Sequence, residues 1–127
     1  MKTGDSVSGT ESLEDRLLSL AVQTIRAADR LTRSYAHNHI GTQLIRSITS
    51  SGANYQEACG AQSRADFIHK IHVVLKELRE SAYWLKLLDK LNPEDNATTK
   101  SLLDETMQLM RIMGKSLVTA KGIGGKP

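Results

Sequence analysis

Apolar residues recur along this chain at alternating steps of three and four, the spacing that stacks side chains on one face of an α-helix. The first such segment sets Leu13, Leu17, Leu20, Thr24, Ala27 and Leu31 in one seam, widened by Leu18, Ile25 and Ala28. Ser12 suits the N-cap, and Glu14 and Asp15 follow where the positive end of the helix dipole favours acids. Opposite the seam runs a polar stripe of Arg16, Ser19, Gln23, Arg26, Arg30 and Arg33. The pattern fails over residues 35–38, which predicts a short turn and an antiparallel second helix.

The second helix is expected to centre on residues 41–59. Gly41, Ile45, Ile48, Gly52, Tyr55 and Cys59 form its apolar or small face, with Cys59 read as a small core residue. Beside that face lies a wholly polar stripe of Gln43, Arg46, Ser50, Asn54 and Glu57. Ser47, Ser51 and Ala53 between them are small enough to let a neighbouring helix come close. Gly60 suits a left-handed C-terminal position. Ser63, with Asp66 three residues on, predicts the N-cap of a third helix. That helix has the strongest seam: Phe67, Ile71, Val74, Leu78, Ser81, Leu85 and Leu88, flanked by Ile68, Leu75 and Ala82. About 28 residues at 1.5 Å each correspond to roughly 42 Å. Pro93 suits the first turn of a fourth helix, which carries Leu103, Thr106, Met110, Met113 and Leu117 beside Leu102, Leu109 and Ile112.

Four amphipathic helices with short connections predict an all-α fold, an antiparallel up-down-up-down four-helix bundle. The expected division is a disordered tail over 1–10, the bundle over 11–121 and a flexible tail over 122–127. At 127 residues and 39% hydrophobic, the chain can bury one core. One cysteine excludes an intramolecular disulfide and suits a reducing compartment. No apolar run is long enough for a membrane span, and the N-terminus has no apolar leader, so the expected location is the cytoplasm.

The residues carry no catalytic signature. A glycine-rich phosphate loop, a strand-turn-helix nucleophile and a zinc-type cysteine pair are all missing from the sequence. His69 and His72 stand three apart, but Asp66-x-x-His69 has no second copy, so they read as solvated histidines, as do His37 and His39. No metal, cofactor or enzymatic activity is expected. Charge placement says more than the excess of 17 basic over 14 acidic residues. His69, His72, Lys76, Arg79, Tyr83 and Lys86 share one face of the third helix with no acid among them. Together with Arg26, Arg30 and Arg33, the cations Lys76, Arg79 and Lys86 are candidates to track a phosphate backbone. Tyr83 or Trp84 is placed to stack on an unpaired base. The alternative is a solvated face, or ion pairs with nearby Asp29, Glu77 and Glu80.

Residues 43–58, QLIRSITSSGANYQEA, followed by SRADFIHKIHVVLKELRESAYWLKLL over 63–88, resemble the four-helix-bundle family encoded by intervening sequences of large-subunit ribosomal RNA genes. The likeness runs over about residues 13–121. The family pattern falls on Gln43, Leu44, Arg46, Ser50, Asn54 and Glu57, on Phe67, and on Glu77 and Glu80. Many members have proline where this chain has Gly52 and glycine where it has Ala58. The resemblance implies a left-handed bundle assembled as a ring-like homopentamer, with no known enzymatic activity. A related branch accompanies reverse transcriptases of retroelements and is thought to bind nucleic acid through a basic surface. RNA or DNA, and a protein such as a reverse transcriptase, are therefore the partners it implies. The polar stripe of the second helix admits a structural network or a ligand surface. Arg46 and Glu57 stand about 16 Å apart by axial rise and cannot pair with each other, so each needs a partner on another helix or subunit. The expected function is weak, sequence-tolerant binding of RNA or DNA, the alternative a structural or protein-binding homo-oligomeric scaffold.

Overall fold

A computed structural model describes residues 11–122; the tail expected over 1–10, and all but Gly122 of the tail expected over 122–127, lie outside the described residues. The helices are α1 (Leu13–Asp29), α2 (Tyr35–Cys59), α3 (Arg64–Leu91) and α4 (Ala97–Lys121). Serine caps start three of them. Ser12 Oγ accepts from Asp15 N, Ser34 Oγ from His37 N and Ser63 Oγ from Asp66 N, each at 3.0 Å. Each cap satisfies a backbone N–H that the helix itself leaves unpaired.

Ser34 corrects the expected first break. The connection falls before it, and residues 35–38 form the first turn of α2, where Tyr35 is 94% exposed and polar residues meet no core. Gly60 is not left-handed: its φ is −100°, and the left-handed cap is Gly122 at φ 74°. Pro93 lies in the α3–α4 connection, four residues before the helix it was expected to open. Asn96 caps α4 without a side-chain bond to the helix; its amide nitrogen donates to Asp89 Oδ1 at 2.6 Å.

Each helix packs on its neighbours in sequence, and α1 also packs on α4; neither diagonal pair brings its backbones close. The residues that meet run in opposite directions along each tested pair. Gly41 faces Ala28 and Leu31 while Gly52 faces Leu17, and Arg46 reaches Glu80 while Glu57 reaches Lys70. Neighbouring helices are thus antiparallel, in the order α1, α2, α3, α4 around the bundle.

The core joins Leu17 and Leu20, Leu44 and Ile48, Ile71, Leu78 and Leu85, and Leu109 and Met113. Leu102 is buried with them, so Leu102 and Leu109, placed beside the expected seam, belong to the core. In α2 the buried face is rotated from the expected one. Leu44, Ser47, Ser51 and Ala58 are buried, Ile45, Gly52 and Tyr55 are half-buried, and Cys59 is exposed. Small size explains the rotation. Ser47 and Ser81 bring α2 and α3 together with their hydroxyl oxygens 2.7 Å apart, and each also reaches a carbonyl of its own helix, Leu44 O and Glu77 O. A buried hydroxyl without such partners would cost about 1–3 kcal/mol. Thr24 Oγ1 is buried without one. No described helix is long and apolar enough to cross a membrane.

Candidate nucleic-acid interface

Glu77 and Glu80 of α3 are turned toward α2. Arg46 Nη1 donates to Glu77 Oε1 at 3.4 Å, and Arg46 Nη2 donates to Glu80 Oε2. Gln43 Oε1 accepts from Arg46 Nε at 3.3 Å, and Glu80 Oε2 also accepts from Trp84 Nε1 at 3.1 Å. The hydrogen bond from Arg46, then that from Trp84, holds the Glu80 carboxyl below its ordinary range. Reciprocally, Glu80 pushes the Arg46 pKa up. Further along the same seam Lys70 Nζ donates to Glu57 Oε1 at 2.7 Å, which raises the Lys70 pKa. Arg46 and Glu57 thus find their partners on α3 of the same chain. Asn54 instead bonds back to Ser50 within α2, at 2.9 Å to its carbonyl. The polar stripe of α2 is a clamp between two helices.

With its acids so engaged, the outer face of α3 is left to cations. Lys76, Arg79 and Lys86 are exposed and make no ion pair among the described residues. His69, His72 and Lys90 are exposed with them and fall on the same helical face. Lys90, at the end of α3, extends the stripe beyond the residues singled out from the sequence; its continued three-four spacing was the available signal. From Lys76 to Lys90 the stripe runs about 21 Å at 1.5 Å per residue. Tyr83 sits among these cations, 58% exposed. Trp84 is not available to a base. It is half-buried, edge-on to Tyr83 at 5.1 Å and to His39 at 5.9 Å, with its N–H committed to Glu80.

Arg26, Arg30 and Arg33 do not form the helical stripe that their spacing predicts. α1 ends at Asp29, so Arg26 lies in its last turn, Arg30 is its cap and Arg33 belongs to the connection. The capping of α2 by Ser34 forces the chain to turn before Arg33. All three are exposed. Arg26 and Arg30 stand where the carbonyl end of a helix favours cations, which gives them a local role. The backbones of α1 and α3 do not approach each other, but Arg30 shares a surface recess with Leu91 and Asn92 at the end of α3. A residue the sequence left in the solvated stripe, Arg16, has a partner: its Nε and Nη2 meet Glu105 Oε2 and Oε1 at 3.0 and 2.8 Å, tying α1 to α4. No group of three or more His, Cys, Asp or Glu side chains is placed to hold a metal among the described residues.

No curated protein matches the chain. Among solved structures it is similar to the crystal structure of a protein with unknown function from the S23 ribosomal protein family of Bacteroides thetaiotaomicron VPI-5482. The TM-score is 0.74 and the identity 30%, over 84% of this chain and 98% of that one. The family model described as 23S rRNA-intervening sequence protein matches residues 14–115, from the first turn of α1 into the second half of α4. With four helices in that arrangement and a match over most of its length, the chain belongs to the 23S rRNA-intervening sequence protein family.

Proposed function

We propose that this protein is a non-enzymatic, self-associating bundle that holds RNA or DNA weakly and without sequence preference along the outer face of α3. One observation carries the reading: Lys76, Arg79 and Lys86 are exposed and unpaired on a face from which Glu77 and Glu80 have been turned away toward Arg46. Unpaired cations in a row exchange condensed counterions for phosphate, which supplies affinity regardless of sequence. Tyr83 among them offers a ring on which any base can stack. Repetition of the stripe around a homopentamer, the assembly the family likeness implies, would multiply weak contacts through avidity.

The test is fluorescence anisotropy with a labelled single-stranded 20-mer, titrated at several salt concentrations. Binding should weaken with salt along a logarithmic slope of about −0.7 per phosphate neutralised. The triple variant Lys76→Gln, Arg79→Gln, Lys86→Gln should flatten that slope and lower affinity equally for unrelated sequences. The variant Arg26→Gln, Arg30→Gln, Arg33→Gln should change it less. No binding by the wild type in low salt, or a slope unchanged in the α3 variant, refutes the proposal.

A further inference from the structure

Where α1 stops and α4 begins, the end of the bundle is not filled by its own side chains. The last turn of α1 carries Ala27 and Ala28, whose methyl groups reach less far toward α4 than a larger residue would. Between them and α4 lies a cavity of about 140 Å³ whose floor is Leu44, Leu85, Leu88 and Leu102, one or two residues from each of the other three helices. An engineered cavity of about 150 Å³ with walls of the same kind holds a benzene molecule, so this one has room for about four to seven carbon atoms.

The mouth of the cavity is charged. Arg30 and Asp95 line it, with the half-buried Thr99 beside them. The same three residues line an adjoining recess of about 240 Å³, to which Glu94 contributes a second carboxylate. Arg30 and Asp95 are exposed and form no ion pair, with each other or with any other described residue. Opposite charges that flank one opening without pairing leave space for a group that carries both signs. The planar guanidinium of Arg30 suits a carboxylate, which it can hold through two parallel hydrogen bonds. Asp95, with Glu94 nearby, suits an ammonium group.

We infer that this end of the bundle binds a small apolar α-amino acid of about the size of leucine. Its side chain lies on the leucine floor, its carboxylate meets Arg30 and the Thr99 hydroxyl, and its ammonium meets Asp95. A pocket with an apolar interior and a few convergent polar groups is the usual form of a small-molecule site. A simple carboxylic acid of the same shape would set its charge beside Asp95 with nothing to offset it, and a simple amine would do the same beside Arg30. Only a zwitterion answers both. Glycine lacks the group that fills the cavity, and the indole of tryptophan exceeds it. Lys76, Arg79 and Lys86 line neither the cavity nor the recess, so the site stands apart from the face proposed for nucleic acid.

Saturation-transfer NMR with the full chain and millimolar L-leucine tests the assignment. The leucine methyl protons should receive the strongest saturation, because they are the atoms set deepest, and glycine should receive none. 3-Methylbutanoate and 3-methylbutylamine, which each lack one of the two charges, should bind at least tenfold more weakly than leucine. Arg30→Gln and Asp95→Asn, both at exposed positions, should each weaken leucine binding at least tenfold. Arg30→Gln should leave binding of the amine no weaker than in the wild type, and Asp95→Asn should do the same for the acid. Ala27→Leu, which fills the cavity from its wall, should abolish leucine binding while the melting temperature holds or rises. No saturation of leucine by the wild type overturns the inference. The acid or the amine binding as tightly as leucine overturns the ligand class, and leucine binding that survives all three substitutions overturns the site. An Ala27→Leu variant that unfolds shows that the wall has no space behind it and overturns the cavity.

Discussion

Removing the Arg46 guanidinium should expose how far the α2–α3 clamp depends on one cation. Glu77 is only 7% exposed, and Arg46 is the cation that reaches it. Losing one partner of a fully buried ion pair costs about 3–5 kcal/mol, whereas an exposed pair is worth about 0.2–1 kcal/mol. This clamp falls between those limits. The Arg46 side chain is 46% exposed and water screens it, and its contact with Glu77 is long at 3.4 Å, yet the Glu77 carboxylate would be left in a poorly hydrated site. Arg46→Ala should therefore lower stability by about 1–3 kcal/mol. Urea denaturation followed by circular dichroism, at fixed protein concentration because association contributes to apparent stability, measures the loss.

The pH dependence separates a clamp from lost packing. Glu80 has its folded pKa lowered, first by the hydrogen bond from Arg46 and then by that from Trp84. Its contribution is therefore present above the ordinary value of 4.5 and disappears as pH falls through the depressed folded value. The wild type should lose this increment on acidification. Arg46→Ala, which has already lost most of it, should lose less, so that the two stability curves converge toward low pH. Glu77→Gln added to Arg46→Ala should recover part of the loss, since a neutral amide costs less to bury than a carboxylate. Parallel pH curves, with a loss below about 0.3 kcal/mol, would show that water already screens the pair completely.

Thr24→Val, which removes the buried hydroxyl that lacks a partner, should stabilise the bundle by about 1 kcal/mol, visible as a rise of about 3–5 °C in Tm. Ser81→Leu would drive a large side chain into the close α2–α3 approach at Ser47; a loss of about 1–3 kcal/mol in urea midpoint analysis is expected, and a neutral result would mean that the helices separate freely. Arg16→Gln breaks the two-pronged contact with Glu105 and should cost about 1–2 kcal/mol, with α1 amides exchanging hydrogen before those of α3. Tyr83→Ala should weaken single-stranded binding by about 1–3 kcal/mol while leaving duplex binding nearly unchanged, as a competition titration would show.

What could be read from the chain itself was whatever depends on neighbours within a turn or two. Ser12 and Ser63 cap helices through bonds to residues three places on, so their roles are written in local order. The seam of α3 was legible because its large apolar residues repeat at the helical period with few small residues to compete; in α4 the expected Leu103 and Met110 are half-buried and the flanking Leu102 and Leu109 take the core. The outward cations of α3 were legible for the same reason. In α2 that logic failed. Ile45, Gly52, Tyr55 and Cys59 of the expected face turned partly or wholly outward, and the choice fell to Ser47 and Ser51, whose value lies in letting α3 approach. The partner of Arg46 was likewise open, since Glu80 stands 34 residues away and meets it only when α2 and α3 pack antiparallel. Arg30 and Arg33 kept helical spacing although the helix had ended, because Ser34 capped the next helix and turned the chain. Leu18 fits its seam by period as well as the buried Leu17 does, yet the arrangement of the other three helices leaves it outside. Period and capping are set by bonds within one helix, whereas the inward face and the partner of each charge are set by where the other helices lie.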